Sequence, residues 1–258
     1  MPPARIFPRA TVAFLLNDVD IFLHHSTMRG VFHPMQQIIE TYGQLLLAAM
    51  GKTLTLALCG LFFACLIGLL FGILSVLKNK VCNAIYRVFV DVIRGVPMIV
   101  LAYFVYFGVP YIINKSPNIS FTLSALQAGT VCLSLNCGAY MAEIIRAGIQ
   151  SVDIGQMEAS RSLGMSYSQA MRKVVLPQAI RTMIPSIINQ FIITLKDTSI
   201  LSVIGFPELV NTSKNVVANT GSVFEVWAVV AVMYLIVITL LSYAAKMLER
   251  RLNRGRKL

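Results

Sequence analysis

Few side chains in this 258-residue chain have the types and spacing to do chemistry. Gly51, Lys52 and Thr53 end like a phosphate-binding loop, but the glycine needed five positions before Gly51 is replaced by Leu46, and no strand precedes it. Lys52 therefore reads as an anchor at the end of an apolar helix. His24, His25 and His33 cluster without an acidic or cysteine partner at ligand spacing. The five cysteines, Cys59, Cys65, Cys82, Cys132 and Cys137, are an odd set without a Cys-x-x-Cys pair, and read as small core residues. No Ser/His/Asp set or carboxylate pair falls within the apolar runs. The chain is thus expected to be no enzyme and to bind no cofactor or metal; energy for pumping would have to come from elsewhere.

What remains are polar groups set into apolar runs: Ser134 and Asn136, then Lys196, Asp197, Thr198 and Ser199. Such groups usually face a bundle interior or a water-filled cavity, so they are candidates for a substrate pathway or gate. The competing reading makes Ser134 and Asn136 helix–helix hydrogen-bonding residues, and Lys196 with Asp197 an interfacial anchor.

The elements that must position these groups follow from composition. The chain is 57% hydrophobic and 13% charged, with mean hydropathy +0.73, against about 45–50% apolar and about 25% charged for a soluble domain. That excludes a soluble globule and predicts an all-α polytopic membrane protein. Apolar runs predict five spans, at residues 53–77, 85–113, 121–142, 180–195 and 226–245, the second interrupted by Arg94, Gly95 and Pro97. Residues 44–246 form the membrane domain, 1–43 an unassigned extracytoplasmic segment whose Arg5 and Arg9 make a poor signal peptide, and 247–258 a basic cytoplasmic tail. Arginines and lysines gather between spans one and two, between three and four, and after five, which puts the N-terminus outside and the C-terminus in the cytoplasm. This topology accounts for the net charge of +11, and nucleic acid is not expected as a partner. Span four, at about 16 residues and roughly 24 Å, is short, which places Lys196 and Asp197 near an outer gate as a compensating pair. In span one, Gly60, Ala64, Gly68 and Gly72 recur every four residues and give a face suited to close helix packing.

Between spans three and four, the stretch 143–177 is too polar for lipid and too long for a simple turn. Asp153 with Gln156 resembles a capping box, Ser166 with Gln169 is a regular one, and Gly164 suits a helix C-terminal turn. The spacing predicts helix, glycine turn, helix, with Arg161 in the last turn of the first helix and Pro177 limiting the second or opening the next span. Met157, Leu163, Met165 and Tyr167 cluster near the turn, either folded onto the membrane core or exposed as a knob for a partner's groove.

Here the chain resembles a known family. Glu158, Ala159, Ser160, Gly164, Val174, Leu176 and Pro177 match the Glu-Ala-Ala, Gly and Leu-Pro pattern of the membrane subunits of bacterial ABC importers, with Ser160 for the second alanine and Val174 for isoleucine. Further runs resemble its polar amino-acid permease branch: Arg94 to Pro97, Leu133 to Tyr140, Glu143 to Gln150 and Leu195 to Ser199. The resemblance covers roughly residues 43–245. It implies a five-helix type I permease core in the bacterial inner membrane, working with a second permease chain, identical or related. It also implies two cytoplasmic ATP-binding-cassette subunits that hold ATP and Mg, and an extracellular or periplasmic amino-acid-binding protein. Glu158, Ala159, Ser160, Arg161, Gly164, Leu176 and Pro177 would form the coupling helix and its flank. The alternative is a passive channel or membrane scaffold without an ATPase partner.

Overall fold

The computed structural model describes residues 28–77, 79–116 and 120–253, with side chains from residue 35 to 247. His24 and His25 lie outside the described residues, as does the end of the basic tail. The helices run α1 (Met28–Val76), α2 (Lys80–Gly95), α3 (Met98–Ile113), α4 (Ala125–Gln150), α5 (Ile154–Ser162), α6 (Tyr167–Ile204), α7 (Leu209–Thr220) and α8 (Val223–Asn253). Helices α1, α4, α6 and α8 are long and apolar enough to cross a membrane, and the α2–α3 pair makes a fifth, bent span.

The first and fourth spans differ in extent from those expected. Helix α1 does not begin at residue 53 but runs through Gly51 and Lys52 from Met28. Its side chains Ile38, Leu46, Ala49 and Met50 are buried against Leu209, Val216, Val226 and Val230 of α7 and α8, so tertiary packing holds the earlier turns in place. Thr53 ties this junction: its hydroxyl donates to the Ala49 carbonyl at 3.1 Å and accepts the Leu209 N–H at 3.0 Å. Beside it the fully buried Glu208 caps α7 by accepting the Val210 and Asn211 N–H groups at 2.7 and 2.6 Å. Burial pushes that carboxyl up from its ordinary value, partly offset by the two N–H donors.

The second span is broken where expected, at Arg94, Gly95 and Pro97, and is not one rod. Pro97 forces Val96 into extended backbone (φ −99°, ψ 128°), which ends α2 and bends the pair by 101°. The fourth span is not short either. Pro177 leaves the Lys173 carbonyl without an N–H donor four residues on, yet α6 continues because a π-helical turn over Met171–Val175 precedes it, with the Leu176 N–H donating five residues back to Met171. The same device, a π turn over Phe104–Gly108, precedes Pro110 in α3. Helix α6 therefore spans 38 residues, and Arg181 lies within it.

Helices α1 and α4 form the central pair. A Cβ at Gly60 would lie 2.7 Å from Leu133 Cβ, at Gly68 2.5 Å from Met141 Cβ, and at Gly72 2.7 Å from Ile145 Cγ2. The small-residue stripe is thus the surface on which α4 rests.

Candidate functional site

The bend at Val96 leaves Arg94 in the last turn of α2, beside a cavity of about 480 Å³. Asn136 and Tyr140, one turn apart on α4, line it with Gln190 and Asp197, which share a face of α6. The Arg94 guanidinium lies over the Tyr140 ring, 4.8 Å from its centroid. Among the described residues the one ion pair is Glu143 with Arg146. Arg94 and Asp197 therefore bring an unpaired cation and an unpaired anion to one cavity, from two different helices. Gln190 is buried and Asn136 and Asp197 half-buried; the two amides add neutral donors and acceptors. Such a lining can hold a small molecule carrying both charges.

Arg94 also borders a second, more polar cavity of about 310 Å³, closer to the α5 end of the bundle. The Tyr86 hydroxyl donates to Glu143, and Arg146 grips the same carboxylate through Nη2 and, at 3.1 Å, through Nε. Arg146 Nη1 further donates to Gln150 Oε1 at 2.6 Å. This network joins the middle of α2 to the end of α4.

The hairpin follows the expected pattern with one change. Asp153 caps α5 through the Gly155 N–H at 2.6 Å, not through a box with Gln156, whose amide oxygen instead accepts from Gln178. Helix α5 ends with Arg161 in its last turn and Gly164 at φ +84°. The Met165 N–H bonds to the Ser160 carbonyl and the Gly164 N–H to Arg161, a closure that suits glycine. Ser166 and Gln169 form the full reciprocal box that starts α6. Ile154 and Leu163 stand 75% and 84% exposed, Tyr167 is exposed, and Met157 and Met165 are half-buried. Of the two readings of this cluster, the exposed knob fits Leu163 and Tyr167. Glu158, Ala159 and Arg161 share that exposed surface, while Ser160 turns inward and donates to the Gln156 carbonyl at 2.6 Å. Leu176 is half-buried and Pro177 exposed, directly after the π segment.

The pathway candidates divide. Asn136 and Asp197 line the larger cavity. Ser134 is buried and bonds to Thr130 at 2.5 Å and across to the Gly60 carbonyl at 3.3 Å, the helix–helix reading. Thr198 and Ser199 donate to the Leu195 and Lys196 carbonyls, both at 2.7 Å. Lys196 is exposed and forms no ion pair with Asp197: consecutive helical residues point about 100° apart. Sequence reading missed Tyr140 and Gln190 and favoured for Arg94 a role in setting the start of a helix over a direct substrate role. The three-and-four-residue spacing of Gln190, Ile193 and Asp197 was the available signal.

Residues 46–254 match the family model described as binding-protein-dependent transport system inner membrane component. The glutamine transport system permease protein GlnP of Escherichia coli K12 is 38% identical over 209 residues, covering 81% of this chain and 93% of that protein. A crystal structure of an amino acid ABC transporter with histidines aligns at a TM-score of 0.76 and 35% identity, over 83% of this chain and 96% of its own. The inward-facing MetNI methionine ABC transporter shares the fold at a TM-score of 0.71 and 23% identity, over 83% of this chain and 99% of its own. With its helical bundle, its bent second span and a family match over four-fifths of its length, this chain belongs to the binding-protein-dependent transport system inner membrane components, the permease subunits of ABC transporters.

Proposed function

We propose that the chain carries a polar amino acid, glutamine or a close analogue, across the cytoplasmic membrane as the permease of an ATP-driven importer. One observation carries the substrate class: Arg94 and Asp197 are unpaired and line the same cavity, matching the carboxylate and ammonium of a zwitterion. Asn136 and Gln190 suit a side-chain amide, and the named function of the E. coli relative supports glutamine. The N-terminus is outside and the α5 hairpin cytoplasmic, as basic loop residues require. There the exposed Ile154 and Leu163, with Glu158 to Gly164, dock on an ATPase subunit, one for each of two permease chains. The π segment and Pro177 pass the hairpin's motion into α6, whose Gln190 and Asp197 line the cavity. A binding protein delivers the amino acid from outside. The passive-channel alternative lacks a use for the exposed hairpin and for the family's dependence on a binding protein.

The test is uptake of labelled glutamine into proteoliposomes holding permease, ATPase and binding protein. Uptake should require ATP, and Asp197→Asn should raise KM about tenfold or more, the loss of one charge-assisted hydrogen bond. ATP-independent equilibration, or a KM unchanged in the variant, overturns the proposal.

A further inference from the structure

The smaller cavity repeats the chemistry of the larger. Its Glu143, Arg146 and Tyr86 satisfy one another, which leaves, besides Arg94, Arg87 and Asp91 of α2 as its charges outside any ion pair. These two residues stand four apart on one helix, the spacing at which a cation and a carboxylate can pair, and they do not pair. The apolar side chains Val81, Ile85, Val88 and Val92 of α2 are exposed at helical spacing. The helix thus gives one face to lipid and presents its charges to the cavity. Arg94 borders both cavities, lies over the Tyr140 ring and forms no ion pair, so its flexible side chain can follow a carboxylate from one cavity to the other.

We infer that this cavity, between α2 and the end of α4, is a second, inner binding site for the zwitterionic amino acid. Arg87 takes the carboxylate, Asp91 takes the ammonium, and Arg94 with Tyr140 forms the passage from the central cavity. The inference rests on the proposed function for its direction of travel. A volume of about 310 Å³ admits one amino acid. The headgroup of phosphatidylglycerol could supply a negative charge to Arg87 but carries no ammonium for Asp91.

The experiment is equilibrium binding of radiolabelled glutamine to the permease–ATPase complex in nanodiscs of phosphatidylcholine alone, without the binding protein. The expected result is two sites per permease chain. Arg87→Gln, and separately Asp91→Asn, should weaken one of them about tenfold or more and leave the other, while Arg87→Lys retains part of the affinity; a retained thermal midpoint shows that each variant is folded. Asp197→Asn should weaken only the other site. One site per chain that Asp197→Asn removes and Arg87→Gln spares overturns the inner site and leaves the central one standing. A site that Arg87→Gln removes and Asp197→Asn spares supports the inner site while overturning the central reading. Binding indifferent to all these changes, or an inner site that appears only when phosphatidylglycerol is added, overturns the inner site.

Discussion

The Arg94 guanidinium rests 4.8 Å from the centroid of the Tyr140 ring, joining the last turn of α2 to the middle of α4. A cation over an aromatic face is stabilised by about 0.5–1 kcal/mol at exposed sites and about 2 kcal/mol when desolvated. Tyr140→Phe keeps that face and is expected to leave the glutamine KM of the reconstituted complex within about twofold. Tyr140→Ala removes it and should raise KM by roughly two- to thirtyfold. Equal effects from the two substitutions would mean that the ring does not hold Arg94.

The hairpin can be tested by separating stability from coupling. Leu163 is 84% exposed, so Leu163→Glu should change the thermal midpoint by no more than about 0.5 kcal/mol equivalent. The same change places a charge in the surface proposed to meet the ATPase, and ATP-dependent uptake should be lost. Gly164→Val is different in kind. At φ +84° a β-branched residue is strained by about 1–2 kcal/mol, so stability and uptake should fall together.

Much of this was legible in the sequence wherever the signal is local. Ser166 with Gln169, Gly164, Arg161 and the glycine stripe of α1 depend on spacings of three or four residues, and the structure follows each. Asp153 imitated a box because its carboxylate reaches the Gly155 N–H two residues on, which caps the helix without help from Gln156. Span four looked short because its apolar run covers only residues 180–195, and the π turn that carries the helix past Pro177 has no distinct residue pattern. Arg94 and Glu143 were harder still, since Tyr140 and Tyr86 reach them only after the bend at Val96 folds α2 back along α4.

The α1–α4 contact makes a sharp stability prediction. A side chain at Gly68 meets Met141 Cβ at 2.5 Å, whereas at Gly51 nothing lies within 4 Å. Gly68→Leu should overpack the helix pair at about 1–3 kcal/mol or prevent assembly. Gly51→Leu, exposed on the same helix, should leave the thermal midpoint of the purified complex near wild type.

Glu208 gives a pH dependence. Burial raises its carboxyl above the ordinary 4.5, so the folded protein keeps a proton that the unfolded chain releases first. Its contribution to stability is then fully present below about pH 4.5 and falls as pH rises through the raised value. Glu208→Gln cannot titrate. Wild type minus Glu208→Gln, read as a difference in thermal midpoint, should shrink as the buffer is raised from pH 4.5; a difference that grows would reverse the sign of the shift.

Lys196 and Asp197 provide the test of geometry against charge. As adjacent residues of opposite sign they suggest a compensating pair, and a pair would tolerate exchange of its charges. In the structure Asp197 lines the cavity while Lys196 is exposed and the two form no ion pair. Exchange therefore removes the carboxylate from the cavity and puts an ammonium beside Gln190 on the same lining face, where it repels the substrate's own ammonium. Lys196→Asp with Asp197→Lys is expected to lose uptake at least as fully as Asp197→Lys alone, while Lys196→Gln stays within about threefold of wild type. Partial rescue by the exchange, measured as glutamine uptake at saturating ATP, would show that the two charges act on each other after all.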